Sequence, residues 1–311
     1  MVLDRLSRHG IRTTGITDRI HVVHGNNRGR SPFCNVFLIL DTVNVLFDTG
    51  CGVDLIEKLC SEVRIDRVFV SHSHLDHTAG CRFLQDSGSE IMASQENSDS
   101  IATAELLALR FVGEELRDTW METYPPLTGF RDFTVSETYS HGQEFSSGHL
   151  RFTALYTPGH LNDHYCFWMP DEKILLGFDI DLSPFGPWYG NPESDISLFR
   201  DSIARVMDMP AEVYLPAHAR PIRNPYIRKR LHAFAAFFDE RDRQILDLLA
   251  QAEHMGIEDL VRHSPFYDAD HASISDELLW FGEEQMIRKH LEGLADRGLV
   301  HEEGDRYWVR Q

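Results

Sequence analysis

Ser71-His72-Ser73-His74-Leu75-Asp76-His77 sits directly behind Asp66-Arg67-Val68-Phe69-Val70. The second run is apolar and β-branched between charges, which predicts a short buried strand. The strand therefore ends where three histidines and an aspartate begin. His72 and His74 are two residues apart, so on an extended segment they share one face. After a tight turn, Asp76 and His77 reach a second position close by. Imidazole and carboxylate together suit zinc, iron or manganese. A lone histidine in a polar loop is ordinary; an H-x-H-x-D-H spacing behind a buried strand argues for a metal.

Further along, the same arrangement recurs. Arg151-Phe152-Thr153-Ala154-Leu155-Tyr156 alternates as a strand and leads into Thr157-Pro158-Gly159-His160. Ile174-Leu175-Leu176-Gly177-Phe178 reads as a buried strand ending at Asp179, and a carboxylate placed there needs a partner, because an unpaired buried charge is costly. Ala211-Glu212-Val213-Tyr214-Leu215 is a strand ending at Pro216-Ala217-His218. A site shared at one edge of two packed sheets accounts for all four strand ends. Upstream, Phe33 to Leu40 and Val43 to Phe47 predict a hairpin that runs into Asp48-Thr49-Gly50. Asp48 is either a partner for a ligand histidine or an Asx-turn residue.

Composition bounds the rest. The 311 residues suffice for a large domain plus a small one, and 42% hydrophobic with 25% charged residues is ordinary for a globular chain. The formal net charge is −19, from 49 acidic and 30 basic residues. That argues against a broad nucleic-acid or anionic-membrane surface. The one concentrated basic run spans Arg220 to Arg230. Five cysteines without C-x-x-C spacing imply no disulfide framework. Neither a secretory signal nor a run of ~20 apolar residues is evident, so the cytoplasm is the expected compartment and no membrane the expected partner.

Residues 1–18 read as a polar, irregular arm. Val53 to Cys60 and Thr78 to Leu84 have helical spacing, and so does 96–123, with Tyr124-Pro125-Pro126-Leu127 breaking the pattern. That aromatic-rich insertion lies between the ligand stretches. It either caps the site or is an ordinary core helix pair. Another amphipathic helix is predicted at 194–208.

The motifs at 71–77, 157–160, 177–179 and 215–218, with Phe47-Asp48-Thr49-Gly50, resemble the metallo-β-lactamase superfamily of hydrolases over roughly residues 19–225. The resemblance implies an α+β fold, an αβ/βα sandwich with two divalent metals at the sheets' edges. It implies that His72, His74 and His160 hold the first metal, that Asp76, His77 and His218 hold the second, and that Asp179 bridges. Zinc is the first expectation, with iron or manganese as alternatives. Two departures stand out: Gly177-Phe178-Asp179 replaces the usual Gly-Asp, and Pro216-Ala217-His218 replaces Pro-Gly-His. The implied chemistry is attack by a metal-bridging hydroxide, oriented by Asp76, on a small-molecule thioester, ester or lactone. His164 is a second catalytic candidate, as an oxyanion holder or as support for a ligand. Alternatives from the same ligand set are an endonuclease or phosphodiesterase on single-stranded nucleic acid, and a mono-iron dioxygenase-like enzyme.

The tail, residues 226–311, is different in kind. Helices at Phe237 to Leu249, Ile257 to Val261 and Glu283 to Arg297 precede a hairpin at Gly298 to Val309. This resembles a winged helix, as in glyoxalase-II-like members and the β-lactamase-like protein 2 group. A DNA reader would be basic there. Glu283, Glu284, Glu292 and Asp296 instead face Arg288, Lys289 and Arg297, and the wing adds Glu302, Glu303 and Asp305. A structural module, with a homodimer left open, is the expectation rather than nucleic-acid binding.

Overall fold

The computed structural model describes residues 2–263, 266 and 275–310. Its first sheet has seven strands in sequence order: β1 (Thr13–Gly15), β2 (Ile20–Val23), β3 (Val36–Ile39), β4 (Val45–Phe47), β5 (Arg67–Phe69), β6 (Glu90–Ser94) and β7 (Glu137–Tyr139). The strands β4 to β7 run parallel, and β1 to β4 pair antiparallel. The second sheet contains β8 (Glu144–Ser146), β9 (Arg151–Tyr156), β10 (Tyr165–Met169), β11 (Ile174–Phe178), β12 (Val213–Pro216) and β13 (Ile222–Arg223), in strict reverse order. Here only β11 and β12 are parallel neighbours.

Alternation along the strands builds three layers of core. Phe37, Phe47 and Phe69 point at the second sheet and meet Phe152, Phe167 and Phe178, with Phe47 lying 4.9 Å from Phe167 between ring centroids. Their neighbours Leu38, Leu46 and Val68 point the other way, onto α2 (Val53–Glu62), α4 (Cys81–Asp86) and α5 (Ala104–Thr128). The outer face of the second sheet is covered by α6 (Ile196–Met207), α7 (Tyr226–Leu249) and α9 (Asp276–Asp296), through residues such as Phe199, Phe234, Phe238 and Met286. Burying a large apolar side chain contributes about 1.5–3 kcal/mol, so both sheet faces are strongly specified. The remaining helices are α1 (Val2–Arg8), the single turn α3 (Leu75–Thr78) and α8 (Ile257–Arg262).

Three local expectations are corrected. The N-terminal stretch is not irregular: α1 buries Leu6, Ile11 is buried behind it, and β1 pairs with β2. Its fully buried apolar residues among those described, Leu6 and Ile11, are too few to show a period. Pro125 and Pro126 do not break α5, which continues to Thr128 and closes on Gly129 in the left-handed conformation. The interruption falls at Gly113 instead, whose φ of 72° no helix accommodates. Both tail helices are longer than their apolar periods suggest, because α7 and α9 begin well upstream against the body.

The tail runs α7, β14 (Met255–Gly256), α8, α9, β15 (Val300–Glu303) and β16 (Arg306–Val309), with sheet order β14-β16-β15. Among the described residues no helix is long and apolar enough to cross a membrane. All five cysteines are free.

Candidate metal centre

The strands β4 and β5 on one sheet and β9, β11 and β12 on the other end at a common edge, and a ligand-type residue follows each end. Close packing forces the turns there. A Cβ on Gly50 would lie 1.5 Å from the Asp76 carbonyl oxygen, and one on Gly159 would lie 2.2 Å from the Phe199 nitrogen. Only glycine lets these loops approach. Where β11 meets β12 the register shifts between Leu176 and Phe178, so the extra residue of Gly177-Phe178-Asp179 is absorbed as an irregularity. Phe178 takes a φ of 46°, strain of the kind that collects at functional sites. Ala217 shows no such positive φ; its N–H donates to the Phe178 carbonyl at 3.0 Å.

One group of residues that could hold a metal ion is His72, His74, His160 and Asp179; a second is Asp76, His77 and His218. Asp179 stands between them. Its Oδ2 lies 3.3 Å from His160 Nε2 and 3.8 Å from His72 Nε2, while its Oδ1 lies 3.1 Å from His77 Nε2 and 3.4 Å from His218 Nε2. Asp76 Oδ2 is 3.6 Å from His218 Nε2.

The hydrogen bonds around the rings assign every tautomer. His160 Nδ1 donates to the Trp188 carbonyl and His218 Nδ1 to the Gly29 carbonyl, both at 2.8 Å. His74 Nε2 donates to Asn191 Oδ1 at 2.8 Å, and His77 Nδ1 to Asp48 Oδ2 at 2.7 Å. Ser71 Oγ donates its proton to Asp48 Oδ2, so it accepts from His72 Nδ1 at 3.0 Å. In its neutral form each ring therefore turns a bare nitrogen inward. His74 Nδ1 lies 2.9 Å from His160 Nε2 and 3.1 Å from His72 Nε2, lone pair against lone pair, with no proton to share. His77 Nε2 and Asp179 Oδ1 are buried without any hydrogen-bond partner. Such an arrangement could hold cations, and the nitrogen-rich donor set with hard carboxylates fits divalent ones.

Electrostatics points the same way. Burial holds His72 and His160 well below the ordinary histidine range, which favours the neutral rings that ligation would need. Burial also opposes charge on His77 and His218, yet the carboxylates overcome it: Asp179, Asp48 and Asp76 raise His77 well above its usual value, and Asp179 and Asp76 lift His218 to about 10. The pocket attracts positive charge.

Asp48 is fully buried and accepts three hydrogen bonds, from Ser71 N, Ser71 Oγ and His77 Nδ1. His164 is fully buried as well. Its Nδ1 faces the Thr157 carbonyl at 3.0 Å and its Nε2 accepts from Asp179 N at 3.3 Å. An oxyanion holder needs an N–H facing the cleft, and His164 offers none; it braces the Asp179 backbone instead.

Sequence reasoning missed the outer supports. Trp188, Asn191 and Gly29 orient ligands from loops without periodic signal. Arg110 on α5 was also missed. Its Nη1 donates to Ser73 Oγ at 2.7 Å, its Nε to Glu193 Oε2 at 2.6 Å, and its Nη2 to Asn162 Oδ1 at 3.1 Å. The insertion also sets Phe111 5.3 Å from the His74 ring, and Trp188 lies 5.1 Å from that same ring. Phe111 and Trp120 are core residues as well, so this helix both fills the core and walls the site.

Comparison with known proteins agrees with the geometry. An atrochrysone carboxyl ACP thioesterase of Passalora fulva is 26% identical over 308 residues, covering 94% of this chain and 81% of its own. A hydroxyacylglutathione hydrolase of Francisella tularensis subsp. novicida is 21% identical over 192 residues, 61% of this chain and 64% of its own. Among solved structures, a metallo-beta-lactamase family protein of Thermus thermophilus superposes with a TM-score of 0.73 at 20% identity, covering 95% of this chain and all of its own. The family model described as the metallo-beta-lactamase superfamily matches residues 31–218, a span that holds every candidate ligand, and the chain belongs to that superfamily.

Proposed function

We propose that the chain is a dinuclear metallohydrolase that cleaves a small-molecule thioester, with esters and lactones as chemically related substrates. The observation that carries this is the convergence of five bare imidazole nitrogens on the two sides of Asp179. Two divalent ions, zinc first, would be held by His72, His74 and His160 on one side and Asp76, His77 and His218 on the other. Bound there, they would supply Lewis acidity and an activated water.

The protein's own groups do the rest. Asp76 is partly exposed, with a side chain 19% accessible, so its carboxylate can orient water and accept its proton. Phe111 and Trp188 line His74 and exclude bulk water from that side. Asp48 and Asn191 hold His77 and His74 in the tautomer that ligation needs. Names of the relatives, a thioesterase and a hydroxyacylglutathione hydrolase, favour an acyl substrate. The tail, which we read as a winged-helix-like module, is a structural element, since its surface helix and wing are rich in acids.

Purified protein loaded with zinc should release thiol from acyl thioesters, and His74→Ala should lower kcat/KM by at least ~10³-fold, the scale of losing a group that stabilises the transition state. Salt-sensitive cleavage of single-stranded RNA or DNA with no thioesterase activity would contradict the reading.

A further inference from the structure

Beside the second histidine cluster the chain gathers arginines that no carboxylate holds. Gly29, whose carbonyl fixes His218, is flanked by Arg28 and Arg30, and Arg220 lies two residues beyond His218. The two segments are tied together. Asn35 Nδ2 donates to the Ala219 carbonyl at 3.3 Å, and Gly29 packs so closely on the Asn35 amide that a Cβ would come within 2.6 Å of its Oδ1. Arg12 approaches from the other side. Its carbonyl accepts from His24 N at 2.9 Å, and His24 feels the charges of both Arg12 and Arg220. All four arginines are exposed.

This grouping is unusual for a chain of net charge −19. Many other arginines lie against acids, as Arg19 does with Asp41, Arg151 with Asp171 and Arg200 with Asp239. Among the described residues no ion pair engages Arg12, Arg28, Arg30 or Arg220. Asp54, the carboxylate that touches this turn through Asn26, is itself paired with Lys58. The turn is also strained. Asn27 and Arg28 hold φ of 48° and 62°, a left-handed conformation that is strained for a non-glycine residue. Strain and uncompensated charge thus coincide beside His218.

We propose that this arginine rim binds the phosphate of a phosphate-bearing thioester, either coenzyme A or the phosphopantetheine arm of a carrier protein. The guanidinium fork matches phosphate oxygens in pairs and stays charged at all working pH values. The rim anchors the distal end of the arm while its thioester end reaches the histidine clusters. The inference rests on the thioester reading above and adds the carrier's chemistry to it.

Two measurements test it. The first compares one acyl group carried on coenzyme A, on phosphopantetheine and on N-acetylcysteamine, which lacks phosphate. We expect at least a tenfold preference in kcat/KM for the phosphate-bearing forms, expressed in KM. The preference should shrink about tenfold in Arg28→Ala/Arg220→Ala and weaken with salt. Arg151→Gln, on β9, should leave it intact. Equal turnover of all three, or a preference that the double variant keeps, overturns the proposal. A preference for coenzyme A over phosphopantetheine would assign the rim to the nucleotide phosphates; equal preference would assign it to the shared phosphate.

The second measurement is independent of catalysis: binding of S-methyl coenzyme A against S-methyl pantetheine by calorimetry. If no thioester is hydrolysed, the activity reading fails. The rim still stands if S-methyl coenzyme A binds at least tenfold more tightly to the wild type than to the double variant. It falls if the two bind alike or not at all.

Discussion

Asp48 shows how much of the centre depends on one side chain outside the two main histidine clusters. Its two oxygens take Ser71 N at 2.7 Å, Ser71 Oγ at 2.8 Å and His77 Nδ1 at 2.7 Å, and through Ser71 it also sets His72. One carboxylate thus fixes a candidate ligand in each cluster. Asp48→Asn keeps the shape and replaces one acceptor oxygen with a donor NH2, which then opposes a donor. We expect metal affinity to fall 10–100-fold with the fold retained. Competition with a chelator, alongside circular dichroism, reads both. Unchanged affinity would show that His72 and His77 are oriented by packing alone.

At the scale of elements, the ligand loops are bound to each other through α5. Arg110 joins Ser73, between two ligand histidines, to Asp163 at 3.3 Å and Asn162, which follow His160, and to Glu193, two residues past Asn191. Its side chain is largely buried among them, so removal leaves acids without a counter-charge. Arg110→Met should weaken metal binding at least tenfold and lower Tm by several degrees, while Arg110→Lys should restore part of the Tm and less of the affinity, since lysine lacks the fork. A chelator titration with a thermal melt measures the two losses separately.

Arg110 also marks where the sequence stops being readable. His72, His160, Asp179 and His218 are legible because each directly follows the apolar strand that places it, so period and ligand stand side by side. The Gly177-Phe178-Asp179 departure is legible as a motif, while its outcome, a register shift at β11, depends on β12. Trp188 and Asn191 act on residues tens of positions away and lie in no periodic pattern of their own, while Arg110 lies in a helical pattern that says nothing of its distant partners. The same holds for α1: Leu6 and Ile11 sit in a polar stretch, and only the body they pack against reveals them as core.

Across the whole molecule, the tail is joined to the site by a loop. Arg241 on α7 is buried and donates to the Phe185 carbonyl at 2.8 Å and to the Tyr189 hydroxyl at 2.9 Å. The same hydroxyl meets His290 Nε2 of α9 at 2.7 Å, and His290 Nδ1 meets Asp242 at 2.6 Å. The clamped loop carries Trp188 and Asn191, which orient His160 and His74. The tail helices therefore support the first cluster from behind, and their core is continuous with that of the second sheet. Arg241→Met leaves the Tyr189 hydroxyl and two carbonyls under-satisfied, at a cost of about 1–3 kcal/mol. A lower Tm together with faster metal loss to a chelator is expected. A lower Tm with unchanged metal retention would confine the tail to packing.

The most direct test of the dinuclear centre is elemental mass spectrometry on protein purified without added metal and again after reconstitution, beside His160→Ala and Asp179→Asn. Near two divalent ions per chain, reduced in both variants, is the predicted result. A single iron per chain, or no metal even after reconstitution, would contradict it.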